Sequence, residues 1–460
     1  MNPMTATPSG KSPGLEVAIP SDAERRQNAY SWYIVAVLFA VSVLGYVDRV
    51  ILSFLVEPIK AALSLSDKQV GLVVGTAFAL LYVFGGVFLG KLLDGKRRVA
   101  ILAACIVVWS FGTLLSGLAS GFALLFFARM LVGVGEAGLN PAAVSIISDR
   151  FAPDRVQRPL GLFTTGLYVG GGMAMIGGGA LLAALAARPH FALPVIGQVE
   201  AWRMTFAILS IPGIVVALAV LLTIREKRTE PAVDAAAAAA APEAAPAGAL
   251  AFARANARLI TLLALSIIAW SMNNYGLLNW YPAMLTRSLG MTSQEVAWTY
   301  GPSFLIGGIA GCLSVAPVAR MLRVRFGAEM APFALTMGCM AILSLTTLIG
   351  PLMPERTSAI VFAFLNIFVS SMSVTSVFIL IVAVAPPRLR GIFTGLYMAL
   401  VNLTGGAFGS VIVGAITDNV VGTAHLNWSL SIMSAVCGPL AVVLMIGAIR
   451  TFQRRGIAAA

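Results

Sequence analysis

The chain has 460 residues, of which 59% are hydrophobic and only 11% charged. A water-soluble protein carries about 25% charged residues, so this composition excludes a chain that covers its own surface in water. The formal charge is +12, but the basic residues fall between apolar blocks and not in clusters with aromatics, which points to membrane topology and anionic headgroups and away from nucleic acid.

Residues 1–30 are polar and rich in Pro, Ser and Gly, with no apolar core and no cleavage pattern. They read as a disordered cytoplasmic tail and not as a signal peptide. Apolar blocks of about twenty residues follow, the length that crosses a bilayer core roughly 30 Å thick. The first set predicts helices at 31–56, 69–91, 98–119, 122–147, 159–184 and 203–224, an N-terminal bundle over 31–224. Residues 225–257 open with Arg225, Glu226, Lys227 and Arg228 and continue into an Ala/Pro run at 231–249, which reads as a cytoplasmic linker. The second set predicts helices at 258–286, 294–319, 331–350, 357–384, 389–416 and 427–449, a C-terminal bundle over 258–450, with a cytoplasmic tail at 451–460. The expected fold class is an all-α integral membrane protein of twelve transmembrane helices in two six-helix bundles.

Twelve spans put both termini on one side. Of 31 Lys and Arg, 23 fall in the tails and even-numbered loops. The odd-numbered loops hold six: Lys60, Lys68, Arg188, Arg203, Arg287 and Arg356. By the positive-inside rule both termini are cytoplasmic, in a cell (inner) membrane. The cysteines Cys105, Cys312, Cys339 and Cys437 all lie in apolar blocks without a CxxC pair, so neither a disulfide nor a metal site is expected.

The chain repeats itself. Leu65-Ser-Asp-Lys-Gln69-Val70 before helix 2 matches Met291-Thr-Ser-Gln-Glu295-Val296 before helix 8, at an offset of 226. Both read as capping boxes, Ser66 with Gln69 and Thr292 with Glu295. The same offset maps Gly75 onto Gly301, Phe78 onto Phe304 and Gly85 onto Gly311. Arg158-Pro-Leu-Gly161 opening helix 5 matches Arg388-Leu-Arg-Gly391 opening helix 11, at an offset of 230. Two matches in order predict a duplication, with a binding site where the halves meet.

Four charges fall deep in the spans: Asp48, Arg49, Arg129 and Glu136. Each costs about 2.5–3.5 kcal/mol at a helix centre, so such groups face a cavity or a partner. Arg129 and Glu136 are seven residues apart and project within about 20° of each other, with Gly133 between them. Gly133 and Ala137 form a small-xxx-small seam for close helix approach. Asp48 and Arg49 diverge by about 100°, so either Asp48 pairs with Arg129 or Glu136 pairs with Arg49 across helices 1 and 4. A static network that fixes packing competes here with proton coupling. In the second reading a carboxylate, Asp48 or Glu136, takes up a proton when its Arg moves away.

The second half has no buried charge in its spans and offers Asn273, Asn274, Asn279, Asn366, Tyr397 and Asn402. Tyr281-Pro282 is expected to break helix 7 and free backbone carbonyls near Trp280. The division, with charge in one half and an apolar surface in the other, suits an amphipathic substrate.

Arg129-Met-Leu-Val-Gly133-Val-Gly135-Glu136-Ala137 resembles the helix 4 signature of the major facilitator superfamily, R-x-x-x-G-x-G-x-A. Gly90-Lys-Leu-Leu-Asp94-Gly-Lys-Arg97-Arg98 resembles its loop 2–3 signature, shortened and without the Arg that should follow Asp94. Tyr46-Val-Asp48-Arg49, Val134-Gly-Glu136-Ala and the run from Asn274 to Trp280 and Pro282 resemble the Spinster-like branch. Organic anion symporters share the first pattern, and Glu136-Ala-Gly-Leu-Asn-Pro141 fits their E-A-G-x-x-P run as well. The Spinster resemblance implies proton-coupled movement of lysolipids or sphingoid-type amphipaths, with Asp48, Arg49, Arg129 and Glu136 as the coupling network. It implies substrate contacts from Tyr46, Arg129, Glu136, Asn274, Trp280, Asn366, Tyr397 and Asn402, and gating by Gly90, Asp94, Arg97 and Arg98. The partners expected are the bilayer, protons and a small amphipath, on a monomeric protein with no cofactor. An embedded enzyme is disfavoured, because His190 and His425 sit in outward loops, no HExxH occurs, and GxSxG occurs only as Gly10-Lys-Ser-Pro-Gly14 in the polar N-terminal tail, away from any strand-to-helix turn.

Overall fold

The computed structural model describes residues 22–93, 97–152, 155–186, 190–193, 197–226 and 244–459. Eleven helices among them are long and apolar enough to cross a membrane. One, Ser293–Leu352, has 60 residues, which at about 1.5 Å each is roughly three bilayer cores long. It breaks at Gly327, whose φ of 81° and ψ of 167° suit only glycine. Divided there into helices 8 and 9, the run brings the total to the expected twelve. The others are helix 1 (Arg26–Phe54), helix 2 (Asp67–Gly90), helix 3 (Arg98–Gly117), helix 4 (Phe122–Ser148), helix 5 (Gln157–Leu185) and helix 6 (Ala201–Thr223). Helix 7 (Ala257–Leu289), helix 10 (Arg356–Val384), helix 11 (Arg390–Val421) and helix 12 (Thr423–Arg454) complete the set. Large apolar side chains such as Leu222, Leu313 and Val443 point outward, as in a protein solvated by lipid.

Several boundaries differ from the sequence reading. The first helical run starts at Asp22, so residues 22–30 are helical and not part of a disordered tail. The last run continues to Ala459, through most of the expected 451–460 tail. Helix 8 does not stop at 319, because residues 320–326 contain no helix breaker and the turn waits for Gly327. Helix 7 is continuous through Pro282; a proline removes one hydrogen bond, which a packed membrane helix survives. In the linker, Ala244–Ala255 is helical and sets Phe252 edge-on to Phe393, 5.6 Å between ring centres. The end of the Ala/Pro run aside, residues 227–243 lie outside the described residues. Between helices 5 and 6 a two-stranded antiparallel ribbon, β1 (His190–Leu193) and β2 (Gly197–Glu200), pairs His190 with Glu200. Both capping boxes form, Ser66 with Gln69 and Thr292 with Glu295.

We call the end of the bundle where helix 1 begins and helix 12 ends the terminal face, and the opposite end the far face. Towards the terminal face each half has its own apolar core: Ile34, Leu38, Trp109 and Val132 in the first, Leu263, Trp270, Met340 and Met445 in the second. Towards the far face one core serves both, joining Ile51, Phe54, Leu277, Trp280, Ala297, Tyr300 and Phe304. Glycines report the same geometry. A methyl group on Gly75 of helix 2 would overlap the Gly406 carbonyl of helix 11. One on Gly301 of helix 8 would sit 2.6 Å from Ile176 of helix 5. Gly86, further along helix 2 and nearer the terminal face, has nothing within 4 Å. Gly161, Gly391 and Gly395, also near the terminal face, are equally open. The halves therefore touch at the far face and diverge at the terminal face. Four π-helical segments lie where they touch: Leu72–Thr76, Ser303–Gly307, Asn402–Gly409 and Thr417–Val421.

Candidate functional site

The site is built on helix 4. Its period puts Arg129, Gly133 and Glu136 on one side, and a methyl group at Gly133 would overlap the Phe78 carbonyl of helix 2. The Cβ of Ala137 lies 3.4 Å from where a methyl on Gly85 would be. The small-residue seam thus draws helix 2 against helix 4. Helix 1 approaches from the other side, with Gly45 next to the Glu136 carboxyl.

Of the two pairings open in the sequence, the structure makes Arg49 with Glu136. Arg49 Nη2 and Nε donate to the same oxygen, Glu136 Oε2, at 2.6 and 3.1 Å. The Glu136 side chain is 2% exposed and that of Arg49 is 19% exposed. Arg129 is 1% exposed and donates from Nη1 to the backbone carbonyl of Asp48 at 3.3 Å. Asp48 is itself buried, and among the described residues no cation pairs with its carboxylate. Helix phase explains the split: Asp48 points into the first bundle, while Arg49, 100° away, reaches the cleft wall.

Rings enclose the Arg49 guanidinium. Its Cζ lies 4.3 Å from the ring centre of Phe78, 4.8 Å from Tyr46 and 5.0 Å from Tyr82. Asn140 Nδ2 donates to Tyr82 Oη at 3.2 Å and fixes that ring. From the second half, Tyr275 stands within electrostatic reach of Arg49, and its hydroxyl donates to Asn402 Oδ1 at 3.4 Å. Sequence reasoning missed Tyr82 and Tyr275 and gave Phe78 no role beyond the repeat. Phe78 and Tyr82 are four residues apart, on one helix face with Tyr46 and Arg49 opposite, which was a readable signal. Tyr275 adjoins Asn274 in a run already singled out.

The remaining candidates divide. Tyr46, Arg129, Glu136 and Asn402 belong to this cluster or face it. Asn274 is buried and accepts from Ser370 Oγ at 2.6 Å. Trp280 lies in the shared far-face core, its Nε1 donating to the Ser410 carbonyl at 2.9 Å. Tyr397 is buried in the second half's own core. Asn366 is buried beside Gly350, and neither amide atom has a protein partner. The structure does not bring Trp280, Tyr397 or Asn366 to the charged cluster. In the gating group Asp94 lies outside the described residues, and Gly90 borders open space. Arg97 precedes helix 3. Arg98 pairs with Asp149 at 2.6 Å and Glu226 at 2.9 Å, tying helix 3 to the ends of helices 4 and 6 within the first half. No group of three or more potential metal ligands occurs among the described residues.

A family model described as Major Facilitator Superfamily matches residues 37–410. The chain belongs to that superfamily. It is a family of membrane transporters and not of enzymes. The chain is 28% identical over 407 residues to an MFS-type efflux pump of Mycolicibacterium smegmatis, covering 88% of this chain and 89% of that protein. It is 27% identical over 422 residues to human protein spinster homolog 1, covering 87% and 75%. Among solved structures, a bacterial homologue of the human lysosomal transporter Spinster, inward-facing and occupied, superposes with a TM-score of 0.76 at 25% identity, covering 92% of this chain and 98% of that one. The chain is therefore a secondary transporter of the major facilitator fold, similar to the Spinster branch.

Proposed function

We propose that this transporter is proton-coupled and moves a lysolipid or similar amphipath, with Glu136 as the group whose protonation frees Arg49. The carrying observation is the buried Arg49–Glu136 pair on the cleft wall, held by one carboxylate oxygen and enclosed by Phe78, Tyr46 and Tyr82. A proton on Glu136 removes the ionic attraction. The rings keep the released guanidinium from being stranded, since each cation–π contact is worth about 0.5–2 kcal/mol. Arg49 then faces the cleft as a donor for an anionic headgroup, opposite Tyr275 and Asn402, while the apolar walls of the second half accept an acyl chain. Asp48 is the second candidate for the proton, and Arg129 holds its backbone in place.

The similarity to Spinster-named proteins supports the amphipathic cargo. The distribution of Lys and Arg supports cytoplasmic termini, so the cleft opens to the cytoplasm in a cell membrane. Gly90, Asp94, Arg97 and Arg98 would close the terminal face in the opposite state. The protein is read as a monomer.

Two measurements test this reading. A thermal-shift screen of purified protein against lysolipids and small organic anions reports binding, because ligands that bind only the folded state stabilise it by mass action. Stabilisation by lysolipids alone supports the proposal, and stabilisation by organic anions alone replaces it with organic anion symport. Proton-driven uptake into proteoliposomes is expected to be lost in Glu136→Gln or Asp48→Asn. Uptake that survives in both variants refutes proton coupling at this site.

A further inference from the structure

The far face carries a charge cluster separate from the site above. After helix 1, a short helix, Val56–Leu63, places Glu57 and Lys60 one turn apart. It ends at Ser64, whose left-handed backbone (φ 51°, ψ 44°) turns the chain into helix 2. Asp67, at the start of helix 2, is completely buried. Arg287, in the last turn of helix 7, belongs to the other half. Its Nη1 and Nη2 donate to the two Asp67 oxygens at 2.9 and 2.8 Å, a fork on a carboxylate. Its Nε donates to Glu57 Oε1 at 2.6 Å, and Lys60 pairs with Asp67 at 2.6 Å.

A second link crosses in the opposite direction. Asp418, near the end of helix 11, accepts from the backbone N–H groups of Asp67 at 3.0 Å and Lys68 at 2.7 Å. The first N–H groups of a helix lack intrahelical partners, and Ser66 satisfies only that of Gln69. A carboxylate of the second half therefore completes the cap of a helix in the first.

We propose that Arg287, Asp67 and Asp418 form an ionic latch between the halves that holds the far face shut and must part each time that face opens. Parting leaves the Asp67 carboxylate without its fork and two N–H groups of helix 2 without their acceptor. Both losses occur in one state only, so the latch biases the protein towards the conformation open at the terminal face. Two features place the latch at a wetted rim. A depression of about 560 Å³ runs over it, lined by Glu57, Lys60, Arg287 and Thr423 among others. Arg287 also remains partly exposed. Salt in the surrounding solution therefore screens its exposed arm at Glu57 more than the buried Arg287–Asp67 fork.

Ser53 supplies a reporter. It is buried in the seal, with its hydroxyl 3.3 Å from Asn279 Oδ1 of the other half. Ser53→Cys, in a full chain whose four cysteines are replaced by serine, is alkylated by a soluble maleimide only when the far face opens. Arg287→Gln is expected to raise the labelling rate at least tenfold, and Asp418→Asn to raise it by a smaller factor. Arg287→Lys, which keeps the charge but loses the fork, should fall between wild type and Arg287→Gln. Asp418→Asn removes no buried charge pair and serves where Arg287→Gln fails to fold. Labelling that stays at the wild-type rate in the well-folded variants overturns the latch. The readout needs neither proton nor cargo, so it stands apart from the functional proposal.

Discussion

Replacing Gly71 with alanine should push the resting protein towards the state open at the far face. Gly71 lies in helix 2 where it meets helix 11, and a methyl group there would sit 2.5 Å from the Ser410 carbonyl oxygen and 2.9 Å from Val411 Cα. Ordinary contact begins near 3.4 Å, so the helices must part by about 0.9 Å or the far face must open. Overpacking of this kind costs about 1–3 kcal/mol. The gain in helix propensity from Gly to Ala, up to about 1 kcal/mol, is common to both states and cancels. Only the overlap is specific to one state, so the ratio of far-face-open to far-face-closed molecules should rise about fivefold to 150-fold. Labelling of Ser53→Cys measures it directly, and Gly86→Ala is the control, because nothing lies within 4 Å of Gly86. The reasoning fails if Gly71→Ala labels at the wild-type rate, or if Gly86→Ala accelerates labelling as much.

Two further outcomes are expected. Arg49→Ala strands Glu136, which is 2% exposed and has one oxygen without a protein partner, and should cost about 3–5 kcal/mol of stability. Glu136→Ala should cost less, because Arg49 keeps three rings and some water; equal losses in chemical unfolding would contradict the ring cage. Gly327→Ala forces a side chain into a conformation with φ 81° and should cost about 1–3 kcal/mol, read as a lower melting temperature, whereas Gly338→Ala, with nothing within 4 Å inside helix 9, should not lower it.

The parts of the molecule legible in the sequence are those where a periodic constraint acts on neighbouring residues. Bilayer thickness fixes span length, so helix positions emerged from apolar blocks. Helix phase put Arg129 and Glu136 together and Gly133 between them, and the structure uses Gly133 for close approach to helix 2. The two capping boxes are local, and both form. Contacts between the halves carry no such period. Arg287 and Asp67 are 220 residues apart, and in the sequence Arg287 counted only as a loop charge in the topology argument. The choice between Arg49–Glu136 and Asp48–Arg129 also depended on how helix 1 is rotated against helix 4, which spacing within one helix leaves free. Pro282 misled for a related reason. A proline announces a lost hydrogen bond, but whether the helix then breaks depends on neighbours that the local sequence does not name.

The wide turn at Leu72–Thr76 has a consequence for how helix 2 serves two neighbours. A π turn holds about one residue more than an α turn, so everything beyond it is set back by roughly 100°. That offset lets Gly71 and Gly75 look towards helix 11 while Phe78, Tyr82 and Gly85, further along, look towards Arg49 and helix 4. Deleting one residue from this turn would keep every side chain the chain needs and aim half of them at the wrong partner. The register of this helix, as much as its composition, links the sealed end of the protein to its charged centre.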